Sequence, residues 1–378
     1  MMKLNPLQGW LIGPLRSFFP LLLSFPLLAF AASTSSEGDS ALFLGKATIR
    51  VAHAMAFKNI WDGPTNGPKL ATSKTIAFIG ADLGDPSQQR LANAVKEVTA
   101  SVGWSTAIWD CYGLAARQAD AMARAMALKP AAIIFAGTDA KANAAQIAIA
   151  ASKKIPVIGW NAAPALGATD GLFTNIGTEP KEAGQLAAML GIVESKAKAG
   201  FVVLADNSTP YLAAKTQAMI DTIKQCPSCA LLSVEEPAIA EKPEVAMQRM
   251  VDLQKQFGTH LTYVMATNDR LFDFLATPAA SAIDGKLEFI SAGYGSASAY
   301  TRIRAKKGQM GTVAEPLNLQ AWQMIDEINR ALAGEKPSGF APAPYVVTLQ
   351  NIAFYGGTNN AFEPSDGYQS AYKSIWGR

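Results

Sequence analysis

Asp82, Asp85, Ser87 and Gln88 crowd one short stretch of this 378-residue chain, directly after the apolar run at residues 75–80. Other apolar runs end in the same way: Trp160-Asn161 after one, then Asn207, Asn268-Asp269, Tyr294 and Glu315 after others. Carboxylates and carboxamides hydrogen-bond small polar molecules, and aromatic rings cover their C–H faces. Singly, each residue is also an ordinary cap or turn residue; Asp85-Pro86 is a good N-cap and N1 pair. Their recurrence at one kind of position is what capping does not explain. Binding is the chemistry these residues favour.

Signatures of catalysis are missing. The first apolar run leads into Gly80-Ala81-Asp82-Leu83-Gly84-Asp85-Pro86, which lacks the glycine spacing that brings a backbone onto a pyrophosphate. No Walker-type loop, His-Glu-x-x-His or Gly-x-Ser-x-Gly occurs. With two His and three Cys in the whole chain, a zinc site of those ligands is hard to assemble. His53 and His260 read as structural or surface residues. No metal, cofactor or enzymatic activity is expected. Cys226-Pro227-Ser228-Cys229 has redox-motif spacing, but the pair follows a helical segment, where no N-terminal dipole stabilises a thiolate. In an exported chain a Cys226–Cys229 disulfide closing a surface turn is the better reading, leaving Cys111 as a buried thiol.

The elements that must position these residues alternate in type. Apolar runs at 75–80, 106–109, 132–136 and 156–160 are separated by helical patterns at 86–101, 116–128 and 140–153. A second series begins at Gly200, with runs at 201–204, 231–234, 262–265 and 288–291 and helices near 211–224, 243–257 and 270–282. Continuous Ile/Val/Phe runs without polar alternation mark strands buried on both faces, as in parallel sheets. Strand–helix alternation then gives right-handed crossovers and a three-layer α/β/α sandwich, here in two similar lobes with a hinge at 173–178. A helix at 317–333 precedes a strand at 345–349. In a parallel sheet the C-terminal ends of the strands face the ligand crevice, where the polar residues fall. Residues 33–73 read as an extension with a short helix near 47–58, and Trp61 in it either packs on the core or lines the cleft.

The first thirty residues differ. Lys3 and Arg16 are the only charges before Glu37, and 18–30 is a run of Phe, Leu, Pro, Ser and Ala ending in Ala29-Phe30-Ala31. That is the three-part layout of a secretory signal, with cleavage expected near Ala31. A membrane anchor would need about 20 apolar residues, and this run is shorter and broken by prolines. Removing Lys3 and Arg16 leaves 31 basic against 30 acidic residues. A balance of +1 without basic clusters argues against nucleic acid as a partner.

Residues 74–351 resemble the type I periplasmic sugar-binding proteins of ABC importers, a fold shared with the sensor domains of LacI-type repressors. The resemblance is carried by Thr75-Ile76-Ala77-Phe78-Ile79 followed by Asp85-Pro86, by Lys129-Pro130-Ala131-Ala132-Ile133-Ile134 and Ile155-Pro156-Val157-Ile158, and by Ala266-Thr267-Asn268-Asp269 and Gly308-Gln309-Met310-Gly311-Thr312-Val313-Ala314-Glu315. It implies two lobes joined by three crossings, with residues 1–31 a signal peptide, 32–73 an extension, 74–175 plus 316–340 the N-terminal lobe, 176–315 plus 341–352 the C-terminal lobe, and 353–378 a tail. By position it implies ligand contacts from Asp85, Ser87, Gln88, Asn161, Lys215, Asn268, Tyr294 and Glu315, with Trp160 a stacking face. The Asp-Arg pair usual after the fourth strand is Asn161-Ala162 here, and Lys215 stands for an arginine. With Lys215 the expected cation beside Asp85 and Glu315, a neutral sugar or polyol, or a ligand bearing an amine, fits better than an anion. The implied protein is a periplasmic monomer that hands a small polar ligand to an ABC-transporter permease by hinge closure; the alternative partner is a receptor kinase, with the protein acting as a sensor.

Overall fold

A computed structural model describes residues 30–56, 58–238, 241–283, 285–356 and 359–378. The expected signal segment, and cleavage near Ala31, fall outside these residues or at their very edge. A first helix α1 (Phe30–Met55) leads to β1 (Thr75–Gly80), α2 (Pro86–Ser101), β2 (Ser105–Asp110), α3 (Gln118–Ala127), β3 (Ile133–Ala136), α4 (Ala144–Ser152), β4 (Val157–Trp160) and β5 (Thr174–Ile176). The second series runs α5 (Pro180–Glu194), β6 (Gly200–Leu204), α6 (Pro210–Lys224), β7 (Ala230–Glu235), α7 (Pro243–Phe257), β8 (Tyr263–Ala266), β9 (Glu288–Ser291), α8 (Ala297–Arg304) and β10 (Gln309–Ala314). Then come α9 (Leu317–Ala333), β11 (Tyr345–Thr348), α10 (Ile352–Tyr355) and α11 (Tyr368–Ile375).

The strands form two sheets, β2-β1-β3-β4-β5 in the first lobe and β11-β10-β9-β8-β6-β7 in the second, parallel except for the antiparallel β10–β11 pair. The central strands β3, β4, β6 and β8 are buried at every residue, as unbroken apolar runs demand. Helices flank both faces. In α2, Asp85 caps the first turn by accepting from the Ser87 and Gln88 amides at 2.8 and 3.2 Å, Pro86 occupies the first turn, and Leu91, Val95 and Val98 face the core. In the first sheet the order reverses beside β1, with β2 on one side and β3 on the other; in the second it reverses beside β6. Loops leaving these strands diverge to opposite faces and open a crevice at the C-terminal edge.

Three features depart from the sequence expectation. The helix expected at 47–58 runs instead over Phe30–Met55 and packs on α5 and β11 of the second lobe, burying Ala47 and Val51. The helix expected at 270–282 is replaced by two 3₁₀ segments, Asp269–Ala276 and Pro278–Ala282; Pro278 has no amide hydrogen to continue a helix. Finally, among the described residues two further chain passages accompany the three expected crossings between the lobes. Beyond those at Thr178–Glu179, Glu315-Pro316 and the segment before Tyr345, the chain passes from α1 to β1 and from α10 to α11, because α11 packs on α9 of the first lobe. Trp61 lies on the first of the added crossings, against Phe340 and Tyr372 at 5.2 and 5.3 Å between ring centres. It packs on the core, away from the cleft. No described helix is long and apolar enough to cross a membrane.

The structure joins the Cys226 and Cys229 sulfurs, and Cys111 is a buried free thiol. Burial, reinforced by Asp110, pushes the Cys111 thiol up to about 11. At pH 8 it is therefore protonated as well as inaccessible, and only a thiolate alkylates quickly. Intact-mass analysis should count no iodoacetamide adduct on the native protein, one after unfolding in denaturant alone, and three after reduction as well. Three adducts without reductant would exclude the Cys226–Cys229 bond.

Candidate functional site

A cavity of about 210 Å³ opens between the lobes, lined by the loops at the two sheets' reversal points. Asp82, Asp85 and Gln88 enter it after β1, Gly137 after β3 and Asn161 after β4. From the second lobe come Asp206 and Thr209 after β6, Tyr211 on α6, Asn268 and Arg270 after β8, and Tyr294 after β9. Of the residues expected from sequence, Asp85, Gln88, Asn161, Asn268 and Tyr294 meet here. Gly137 must lack a side chain: its φ is +67°, and a Cβ would stand 2.7 Å from the Gln88 amide.

Asn161 is the most telling member. It sits at φ +51°, a left-handed conformation that Asn tolerates better than most residues. The loop holding it is pinned by buried Asn175, whose side chain accepts from the Ala162 amide at 3.0 Å and donates to the Ala163 and Ala165 carbonyls. Yet both amide atoms of Asn161, only 2% exposed, lack a hydrogen-bond partner among the described residues. Its polar neighbour is the Tyr294 hydroxyl, whose contact falls outside hydrogen-bond geometry. A buried carboxamide left unpaired costs about 1–3 kcal/mol, which a ligand's hydroxyl or amine would recover.

Four expected contacts lie elsewhere. Ser87 is buried in the first turn of α2 and gives its backbone amide to Asp85. Trp160 is 1% exposed, under the Tyr294 ring at 5.5 Å, with its indole N–H donated to Gln320 at 2.8 Å; its faces are covered. Lys215 and Glu315 form a fully buried pair behind the wall, 3.1 Å apart. Lys215 Nζ also donates to the Ala292 carbonyl at 3.1 Å and lies 4.3 Å from the centre of the Tyr294 ring. Glu315 accepts from Gln320 at 3.1 Å, and the Tyr211 hydroxyl lies 3.1 Å from it. This chain of contacts, Trp160–Gln320–Glu315–Lys215, runs from one lobe to the other beneath the cleft floor. Burial first, then Glu315, raises the Tyr211 and Tyr294 hydroxyls well above the ordinary phenol range, so both present neutral O–H groups.

Sequence reasoning passed over Arg270, which takes the place assigned to Lys215 as the cleft's cation. Its guanidinium crosses from the second lobe to Asp82 at 3.1 Å and Asp85 at 3.7 Å. Asp206 was missed beside Asn207, which points outward to Glu236 at 2.8 Å. The available signal for both was adjacency: each stands within two residues of a loop position already singled out. Asp269 is fully buried and takes hydrogen bonds from Ser291, Thr312 and the Ser296 amide; it anchors the loop that presents Asn268 and Arg270. Among the described residues no group of three or more His, Cys, Asp and Glu side chains is arranged to hold a metal ion.

The sequence profile of the family described as "Periplasmic binding protein domain" matches residues 76–336. No curated protein matches the sequence. Among solved structures, an ABC-transporter solute-binding protein from Agrobacterium vitis bound with α-D-tagatopyranose superposes with a TM-score of 0.67 at 15% identity, over 76% of this chain and 99% of that one. A second from the same organism, with bound allitol, gives 0.64 at 16%, over 74% and 97%. A sugar ABC transporter protein from Yersinia enterocolitica subsp. enterocolitica gives 0.68 at 14%, over 83% and 99%. At such identities the likeness establishes the fold, two α/β/α lobes around a cleft.

Proposed function

We propose, since this chain belongs to the periplasmic binding protein family, whose members capture solutes without chemically transforming them, that it is exported to the periplasm and captures a small hydroxylated ligand between its lobes for an ABC importer. One observation carries the reading: the unpartnered Asn161 amide, buried in a cleft otherwise walled by hydrogen-bonding groups. A site whose carboxamide is unpaired without ligand gains the bond when ligand arrives. The sugars and polyols held by the structural neighbours are the same chemical class.

Capture is read as closure. Residues from both lobes line the cavity, so a ligand bridging Asn161 and Asn268 contacts both only when the lobes meet, and it shifts the population toward the closed form by that difference in contacts. The closed surface is what a membrane permease would recognise. A thermal-shift screen of sugars, polyols and fractionated cell extract tests the reading. At a hundredfold excess over Kd a true ligand adds about 2.7 kcal/mol and raises the melting temperature by about 4 °C. No shift from any pure compound or any extract fraction would end the proposal.

A further inference from the structure

The cleft is not electrically balanced. Asp82, Asp85 and Asp206 line it, and among the described lining residues Arg270 is the one cation. Arg270 is spent on Asp82 and Asp85. Asp206 has no cation partner among the described residues; its carboxylate accepts the Ser208 amide at 3.0 Å. Lys215 cannot help, since Glu315 neutralises it behind the wall. A neutral ligand that shut the cleft would strip water from these carboxylates and return hydrogen bonds without charge, whereas an ammonium returns both.

We propose that the captured solute carries a protonated amine beside its hydroxyls, as an amino sugar or amino polyol does, with the ammonium held by Asp206 and the Asp82–Asp85 pair. The inference rests on the solute-capture reading and narrows it. Two observations are independent of the charge count. The unpaired Asn161 amide gains from a hydrogen-bonding ligand in the same cavity. Burial also holds the Asp85 carboxyl above its ordinary range in spite of two capping amides, Arg270 and Asn268, and an ammonium beside it would favour its charged form. Were Asp85 protonated, Asp82 and Asp206 would still outnumber Arg270.

Isothermal titration of matched pairs decides it: glucosamine against glucose, and 1-amino-1-deoxysorbitol against sorbitol, with glucuronate and putrescine added, at a pH where the amines are protonated. The amine-bearing member of at least one pair should bind about tenfold tighter or more than its neutral partner, as a charge-assisted hydrogen bond gives, and tighter than putrescine. Asp206→Asn should erase most of that preference, and Asp82→Asn, at a half-exposed position, should lower it in the same direction should the first variant fail to fold. A neutral sugar or polyol that binds as well as its amine, or glucuronate binding best, overturns the amine while leaving solute capture standing. Putrescine binding best overturns the hydroxylated class. A panel without any binder overturns the proposal, and if cell extract also gives no thermal shift, the reading beneath it falls too.

Discussion

Lys215→Met should cost about 3–5 kcal/mol of stability, the range for removing one partner of a buried ion pair. Glu315 is fully buried and keeps only Gln320 and Tyr211 once the ammonium is gone. Two neutral donors do not offset a desolvated carboxylate. Met fills most of the volume of the lysine stem, so the loss is electrostatic and leaves no large cavity. The expected readout is a lower urea midpoint with an unchanged slope. The double variant Lys215→Met, Glu315→Gln should regain much of the loss, because it removes both charges together. A single variant within about 1 kcal/mol of wild type would show that the pair does not hold the cleft floor.

Trp376→Ala is expected to be comparably damaging, about 3–5 kcal/mol. The indole is fully buried, stacked on Trp322 at 5.3 Å and near-parallel, and packed on Tyr372 at 5.7 Å. Its N–H donates to Asp326 at 2.9 Å. Burial already raises that carboxyl, against Arg330 and then Trp376, which favour its charged form; truncation removes one of those two supports. Chemical unfolding followed by far-UV circular dichroism should show the first transition moving to lower denaturant. A wild-type transition would mean that α11 merely decorates a lobe that folds without it.

What could be read from the sequence follows physical lines. Strands β3, β4, β6 and β8 announce themselves because a strand buried on both faces must be apolar at each step. Helix α2 is legible from Asp85-Pro86 and its one-sided apolar stripe. Helix α5 is not: α1 covers the face that solvent would otherwise touch, so α5 is apolar nearly all round and carries no amphipathic period. The swapped docking of the ends is equally silent in local pattern, since it depends on contacts such as the Lys58 amide to the Tyr355 hydroxyl, 297 residues apart. At the site, loop position was enough to find Asp85, Gln88, Asn161, Asn268 and Tyr294. It could not decide where a long side chain points. Lys215 on a helix and Arg270 in a loop are both plausible cleft cations on paper; packing turns the first toward Glu315 and leaves the second in the opening.

The claim that a solute is held in this cleft is tested most directly by Asn161→Gly, titrated calorimetrically with the compound that raises the wild-type melting temperature. Glycine accepts the left-handed backbone of this position, and no hydrogen bond within the described residues is lost with the carboxamide. The variant should fold with stability within about 1 kcal/mol of wild type and bind at least tenfold more weakly. A variant that folds and binds with wild-type affinity would contradict the account.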